Sequence, residues 1–221
     1  ADDGGDRPVP EPARDPFSAR PDKAWFYPEP TRAQRLKLLH HLAPYGELLI
    51  VTGEPGSGKS TLLEQFVDRS HTGWRLCVVV AEPGWGAQEL LDALVQGFDI
   101  RARVPDTERG KLDLVTAHCA SLKRNGLVAV IVIDDADRLD TAALHMLQDL
   151  LAAMDAHEKP VRIVLFAAPR LRDTVSAEVT GLQERITHTF ILPPFSERET
   201  GQYLHHRLKA AGFTGGDPFT E

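Results

Sequence analysis

The order of apolar and polar positions along the chain predicts strands that alternate with helices. Short segments that predict strands occupy residues 48–52, 75–81, 127–133, 161–167 and 187–192, and the continuous apolar run at 127–133 is typical of a strand buried on both faces. Helical periodicity or helix-start signals mark residues 31–42, 61–67, 86–98, 108–124 and 141–156, a short stretch from 169, and 196–212. This alternation predicts one parallel sheet with helices on both faces, a three-layer α/β fold.

The two ends of the chain differ from its centre. Residues 1–22 contain five prolines among glycines and charged residues, which predicts a disordered linker. Trp25, Phe26 and Tyr27 are expected to anchor that linker to a core of residues 23–194. Ser196 begins a capping-box pattern, so residues 195–221 are expected to start a helical lid. Because the chain starts at Ala1 and stops within that lid, we expect it to be a piece of a longer protein.

Composition narrows the class of protein. A hydrophobic fraction of 42% is ordinary for a globular protein, and the formal net charge of −7 does not favour nucleic acid or anionic lipid as partners. The longest apolar run, 127–133, is too short to span a bilayer. Cys77 and Cys119 lack metal-type spacing and are expected to be reduced structural thiols. The histidine pairs at 40–41 and 205–206 are expected to be solvated or partly packed rather than metal ligands.

A phosphate-binding motif lies between the first predicted strand and the following helix. It fits G-x-x-x-x-G-K-[ST], with the helix continuing from Thr61, and its residues are Gly53, Glu54, Pro55, Gly56, Ser57, Gly58, Lys59 and Ser60. Glycines let the backbone curl until successive N–H groups point at a phosphate, and the helix adds its positive dipole end. Lys59 is expected to reach the β- and γ-phosphates, and Ser60 to bind Mg²⁺. An ordinary glycine-rich turn is the alternative.

Two carboxylates follow the third predicted strand, in the arrangement called Walker B. Ligands of open parallel sheets bind at the carboxyl ends of the strands, so Asp134 and Asp135 can meet the phosphate loop there. Asp134 is then expected to hold Mg²⁺, and Asp135 to face the attacking water. The alternative is a solvated turn that happens to be acidic. The motif pair favours ATP with Mg²⁺ as the ligand.

The spacing of these segments resembles that of AAA+ ATPases. Within that superfamily the chain is similar to the general secretion pathway protein A (ExeA-type) ATPases and to the AAA+ domains of DamX-like, SPOR-domain cell-division proteins. The segments that carry the resemblance are Asp15-Pro16-Phe17-Ser18, Phe26-Tyr27, residues 41–45 and 48–53, Asp134-Asp135-Ala136-Asp137-Arg138-Leu139-Asp140, Gln183-Glu184-Arg185-Ile186, residues 192–200, and Tyr203-Leu204 with Arg207-Leu208.

The resemblance implies catalytic roles for Lys59, Asp135 and Arg185. Arg185 stands where AAA+ proteins place an arginine finger, which acts on a neighbouring subunit's γ-phosphate. Arg170 and Arg172 are weaker candidates for that role, and an exposed arginine that closes a helix is the alternative.

Two departures from the family pattern bear on hydrolysis. Asp135 replaces the usual Glu, and the polar sensor expected after the fourth strand falls on Ala168, which cannot donate or accept a side-chain hydrogen bond. The family's sensor-2 arginine is expected beyond Glu221. Tyr27 and Pro28 are expected either near the adenine or as core anchors.

The sequence therefore predicts a cytoplasmic ATP-binding AAA+ ATPase domain with slow hydrolysis. The resemblance implies a nucleotide switch in a bacterial envelope process, namely cell division or assembly of a secretion complex, at the cytoplasmic face of the inner membrane. We expect self-association in the ATP-bound state and contacts with envelope proteins through regions outside this chain, without nucleic-acid or membrane contact by the chain itself. A non-hydrolysing ATP-gated scaffold and a transposition-type regulator of DNA transactions remain alternatives, and a small-molecule kinase is disfavoured by the Walker B and lid segments.

Overall fold

The computed structural model describes residues 30–158 and 161–212, and its strands and helices alternate as the apolar pattern predicts. The strands are β1 (Leu48–Gly53), β2 (Trp74–Val80), β3 (Val128–Asp134), β4 (Val161–Ala167) and β5 (Ile186–Leu192). The helices are α1 (Pro30–Leu42), α2 (Lys59–Asp68), α3 (Ala87–Gly97), α4 (Glu108–Arg124), α5 (Thr141–Asp155), α6 (Arg170–Glu178), α7 (Thr180–Gln183) and α8 (Glu197–Ala210), with a 3₁₀ turn at Ala136–Arg138.

The five strands form one parallel sheet in the order β2-β3-β4-β1-β5. The strand that enters the phosphate-loop motif, β1, is therefore not adjacent to β3, which ends in Asp134. β4 lies between them, with Leu48 of β1 opposite Ile163 and Ala129 of β3 opposite Val161. This order brings the carboxyl ends of β1, β4 and β3 to neighbouring positions on one edge of the sheet.

Helices cover both faces of the sheet, which confirms the three-layer α/β fold. Alternate strand residues face opposite sides because the strand backbone is pleated. Residues such as Val51, Val132 and Phe166 join one core with α1 and α2. Their neighbours Ile50, Ile133 and Leu165 join a second core with α3 to α7.

The segment after β4 differs from the single short helix predicted there. It forms two helices, because Val179 leaves helical geometry (φ −132°, ψ 62°) between α6 and α7 while its side chain stays buried. Gly181 in α7 packs against the Gln148 side chain, and a Cβ at that position would lie 2.7 Å from Gln148 Cδ. Burial of Val179 and Leu182 against the second core fixes this break.

Both cysteines are buried and unpaired, as the sequence predicts. Burial raises the pKa of the Cys77 thiol and of the Cys119 thiol to about 12, so neither is a reactive thiolate. Among the helices that the structure describes, none combines the length and apolar character needed to cross a bilayer.

Contacts within the chain divide it into two units. One is Gln34–Pro194, and the other combines the residues up to Ala33 with those from Phe195 onwards. In the second unit the predicted capping box is present: Ser196 Oγ accepts from Glu199 N, and Glu199 Oε2 accepts from Ser196 N at 2.7 Å. The Arg32 guanidinium lies 3.6 Å from the Phe195 ring centroid, and Phe195 stacks on Tyr203. The predicted linker, the aromatic anchor at 25–27, Tyr27 and Pro28, and lid residues beyond 212 lie outside the described residues.

Candidate nucleotide site

The motif after β1 forms a curled loop whose shape depends on its glycines. Gly56 and Gly58 have φ of 80° and 84°, the left-handed region that other residues rarely adopt. At Gly53 a Cβ would lie 2.3 Å from Ser57 Oγ and 3.0 Å from Leu192 O, so only glycine fits. Glu54, whose carbonyl accepts from Ser57 N at 3.0 Å, closes the turn that contains Pro55.

Lys59 and Ser60 begin α2, followed in the first turn by Thr61. The Lys59 ammonium folds back over the loop and donates to Gly53 O at 2.7 Å and to Glu54 O at 3.1 Å. The first N–H groups of a helix have no partner within it, and the helix dipole is positive there. A lysine charge and a helix N-terminus thus meet at one loop, an arrangement suited to a phosphate chain.

Ser60 contacts Asp134 across the gap between α2 and β3. Ser60 Oγ donates to Asp134 Oδ2 at 3.0 Å, and Asp134 Oδ1 accepts from Asp135 N at 3.0 Å. Burial raises the pKa of the Asp134 carboxyl above its ordinary value, against the opposing effect of these two hydrogen bonds. The Ser60 hydroxyl and the buried Asp134 carboxylate lie side by side, and both are oxygen ligands of the kind Mg²⁺ prefers, so the donor set fits that ion.

Asp135 adopts an unusual backbone conformation at the same edge of the sheet. Its φ of 51° and ψ of 35° are left-handed, and it caps the 3₁₀ turn. Arg138, at the end of that turn, pairs with Asp135 at 3.2 Å, and the two side chains are 43% and 34% exposed. The sequence analysis missed both the backbone conformation and this partner, although the Asp-x-x-Arg spacing could have indicated the pair.

A second acid-base pair lies at the end of β4, and it too was missed. Asp137 Oδ1 accepts from Ala168 N at 2.8 Å, and Asp137 Oδ2 accepts from Arg170 Nε at 2.8 Å. Burial alone would raise the pKa of Asp137, but these hydrogen bonds outweigh it and the pKa lies below its ordinary value. Ala168 occupies the position after β4 where the sequence analysis placed it.

Arg185 lies at the opposite edge of the sheet, between α7 and β5. Its guanidinium donates to Glu47 Oε2 at 3.0 Å and to Asp155 at 3.1 and 2.6 Å, and the side chain is 22% exposed. The hydrogen bond to Asp155 raises the pKa of Arg185. Arg185 is therefore partly buried and ion-paired within the chain, whereas its role as an arginine finger stays a prediction. Because Arg185 is remote from the P-loop of its own chain, it could act only on a phosphate bound by another copy.

Comparison with known proteins agrees with this geometry. A family model described as an AAA domain matches residues 44–175, more than half of the chain. General secretion pathway protein A of Aeromonas hydrophila is 26% identical over 200 residues, which cover 89% of this chain and 36% of that protein. This chain thus spans about a third of its curated relative.

Three solved structures illustrate the fold similarity. Cdc6p from Pyrobaculum aerophilum has a TM-score of 0.66 at 19% identity, covering 86% of this chain and 54% of that one. The ORC2 protein of Aeropyrum pernix has a TM-score of 0.65 at 17% identity, with the same coverages. A Walker-type ATPase of Pyrococcus abyssi has a TM-score of 0.66 at 17% identity, covering 91% and 64%.

At these identities the solved structures show the fold alone. The relative from Aeromonas hydrophila supports the predicted resemblance to the secretion-pathway branch, whereas the DamX-like branch stays an expectation. Because the family model covers more than half of the chain, including the phosphate loop and the acids at the end of β3, this chain belongs to the AAA domain family of P-loop ATPases.

Proposed function

We propose that this domain binds ATP together with Mg²⁺ and acts as a slow nucleotide switch. The observation that carries the proposal is the 3.0 Å hydrogen bond between Ser60 Oγ and Asp134 Oδ2, which joins the phosphate-loop helix to the end of β3. A solvated acidic turn would leave the carboxylate in water, whereas Asp134 is only 9% exposed. Placing a carboxylate there costs folding energy, and a bound cation would offset that cost.

Each group of the site has a distinct role in this proposal. The curled backbone of residues 53–58 offers N–H groups to the phosphates. Ser57 precedes α2, and Thr61 lies in its first turn. Lys59 exchanges its bonds to the Gly53 and Glu54 carbonyls for phosphate oxygens. Ser60 and Asp134 hold the magnesium ion, which supplies positive charge to the phosphoryl oxygens as negative charge develops on them.

Three features of the part of the site that is expected to face the attacking water support slow hydrolysis. Asp135 is one methylene shorter than the Glu common in the family, so its carboxylate is withdrawn from the position that orients water. Arg138 engages one of its oxygens at 3.2 Å. Ala168, at the end of the strand between the two motifs, has no polar side-chain atom. The hydrogen bonds of Lys59 and Ser60, which are expected to bind ATP and Mg²⁺, do not involve these three side chains.

The cellular role is proposed from the relative. Similarity to general secretion pathway protein A supports a role in a secretion pathway. We further propose that the domain helps to assemble a secretion complex at the cytoplasmic face of the inner membrane through parts outside this chain, with a cell-division complex as the alternative from the DamX-like resemblance. Self-association in the ATP-bound state would allow Arg185 to reach a neighbour's γ-phosphate. A scaffold that binds ATP without hydrolysing it is the second candidate, favoured by the Asp135–Arg138 pair. The net charge of −7 disfavours a regulator that acts on DNA.

Titration with a fluorescent ATP analogue tests the binding site. Lys59→Ala should lower affinity on the order of 100-fold, because the phosphates lose a charged hydrogen-bond donor. Lys37→Ala, which removes an exposed lysine from α1, is the matched control and should bind as the wild type does. An unchanged affinity in Lys59→Ala, with an unchanged circular dichroism spectrum, would overturn the assignment of the phosphate loop.

A further inference from the structure

The carboxyl end of β4 occupies the position between the two nucleotide-binding motifs. β4 pairs with β1 on one side and with β3 on the other, so Ala168 stands between the loop at Gly53 and the acids at 134 and 135. Its methyl group cannot form a hydrogen bond, but its backbone N–H donates to Asp137. The side-chain hydrogen bonds at this position are therefore made by Asp137 and by the residues that it binds.

Asp137 holds an arginine beside Ala168. One carboxylate oxygen accepts from Ala168 N and the other from Arg170 Nε, each at 2.8 Å. Two donors on the same carboxylate lie close together, which keeps the Arg170 guanidinium within about 8 Å of Ala168 N. Asp137 is 8% exposed, whereas Arg170 is 67% exposed. The acid is thus a buried anchor, and the arginine presents an accessible cation.

The geometry of arginine leaves Arg170 able to bind a second anion. A guanidinium carries five N–H donors in a planar fork, and the contacts with Asp137 use only its Nε and Nη2 side. The remaining donors face away from that carboxylate. Arg138, which follows the acids at the end of β3, is paired with Asp135 and its side chain is 43% exposed. Arg170 is also paired, with Asp137, but its side chain is 67% exposed, so it is the more accessible of these two cations for an added phosphate.

We propose that Arg170, oriented by Asp137, contacts the γ-phosphate of the nucleotide bound by the same chain and so distinguishes ATP from ADP. This inference rests on the proposed function, since it requires ATP at the phosphate loop. It assigns to Arg170 the recognition that a polar side chain at position 168 would otherwise provide. Asp137 is a positioning residue: it restricts the arginine before the phosphate arrives and so lowers the entropy cost of that contact.

The test compares affinities for a non-hydrolysable ATP analogue and for ADP, each with Mg²⁺, and so does not depend on turnover. Arg170→Ala should lower the preference for the analogue roughly tenfold or more and leave ADP affinity unchanged, because only the γ-phosphate loses a charged hydrogen bond. Arg170→Lys should recover part of the preference, since the charge remains without the planar fork. Asp137→Asn, which can still accept from Ala168 N, should lower the preference less than Arg170→Ala.

Arg109→Ala is the matched control, because it breaks an exposed Arg–Asp pair on α4. A wild type that binds neither nucleotide would overturn the proposed function and this proposal with it. A wild type that binds ADP as tightly as the analogue would overturn this proposal alone. So would an Arg170→Ala variant that keeps the preference, or one that loses affinity for both nucleotides equally.

Discussion

Asp135→Glu should increase the rate of ATP hydrolysis, because it restores the longer side chain that most AAA+ proteins carry at this position. The added methylene moves the carboxylate by about 1.5 Å towards the expected position of the attacking water. Misplacement of a reacting group by about 1 Å can lower a rate on the order of 100-fold, or about 2.7 kcal/mol of barrier. An increase approaching that factor is the upper limit expected for this variant.

The same substitution should carry a small cost in stability. Asp135 has φ of 51°, a region that Asp tolerates better than Glu, and the difference costs on the order of 1 kcal/mol. The pair with Arg138 is exposed on both sides, so its loss adds no more than about 0.5 kcal/mol. For a domain of this size the midpoint of thermal unfolding should fall by about 2–4 °C.

Steady-state phosphate release at saturating ATP and Mg²⁺ measures the rate, with Asp113→Glu on α4 as a control for the chemical change at an exposed site. Asp135→Asn should be slower than the wild type, because an amide is a much weaker base than a carboxylate. If the wild type released more than about one phosphate per second and Asp135→Glu were slower, the site would be built around Asp. The slow-switch proposal would then be wrong.

Three further predictions concern the opposite edge of the sheet, two half-buried histidines and the phosphate loop. In sedimentation experiments, Arg185→Ala should abolish any increase in self-association that an ATP analogue causes in the wild type. If the variant and the wild type sedimented identically, the role of Arg185 would be its ion pairs with Glu47 and Asp155 within the chain. Burial lowers the pKa of His40 and of His118 below 6.5, so the folded protein resists their protonation. The stabilising effect of these neutral histidines is present above pH 6.5 and is lost as the pH falls through their lowered pKa values. The thermal midpoint should therefore be lower at pH 5.5 than at pH 7.5, and replacing both histidines by Gln should reduce that difference. Gly56→Ala and Gly126→Ala both force a residue into positive φ without a steric clash and should each cost about 1 kcal/mol in denaturant unfolding, but only Gly56→Ala should weaken ATP binding.

Local patterns were sufficient to predict most of the fold and to single out Ser60 and Asp134, which the structure brings together. The continuous apolar run at 127–133 specifies a strand buried on both faces, and the structure has β3 at Val128–Asp134. The Gly-Lys-Ser sequence and the two acids after β3 likewise carry their chemistry in consecutive residues. Ser60 and Asp134 then meet because any parallel sheet of this class places both motifs at one edge.

What the sequence did not reveal depends on which strands are neighbours. The contact from Asp137 to Ala168 exists because β4 inserts between β1 and β3, and no local pattern specifies that order. Arg185 binds Glu47, which is 138 residues earlier in the chain, and only the pairing of β1 with β5 brings them together. The left-handed backbone at Asp135 was missed for a different, local reason, because Asp occupies both ordinary and left-handed conformations in turns.

The position of β1 at the interior of the sheet also governs when this domain can fold. Within the described part of the chain β1 pairs with β4 and β5, whose partner residues for Leu48 are Ile163 and Ile186. At a synthesis rate of roughly 5–20 residues per second, β1 leaves the ribosome on the order of ten seconds before its first partner strand exists. Closing such a distant pairing is entropically slow, because a long loop must be ordered before the contact forms. The P-loop segment is therefore synthesised well before the strands that pair with β1. Nucleotide can stabilise the folded domain, but it cannot assist the earliest steps of folding, because the binding site does not yet exist.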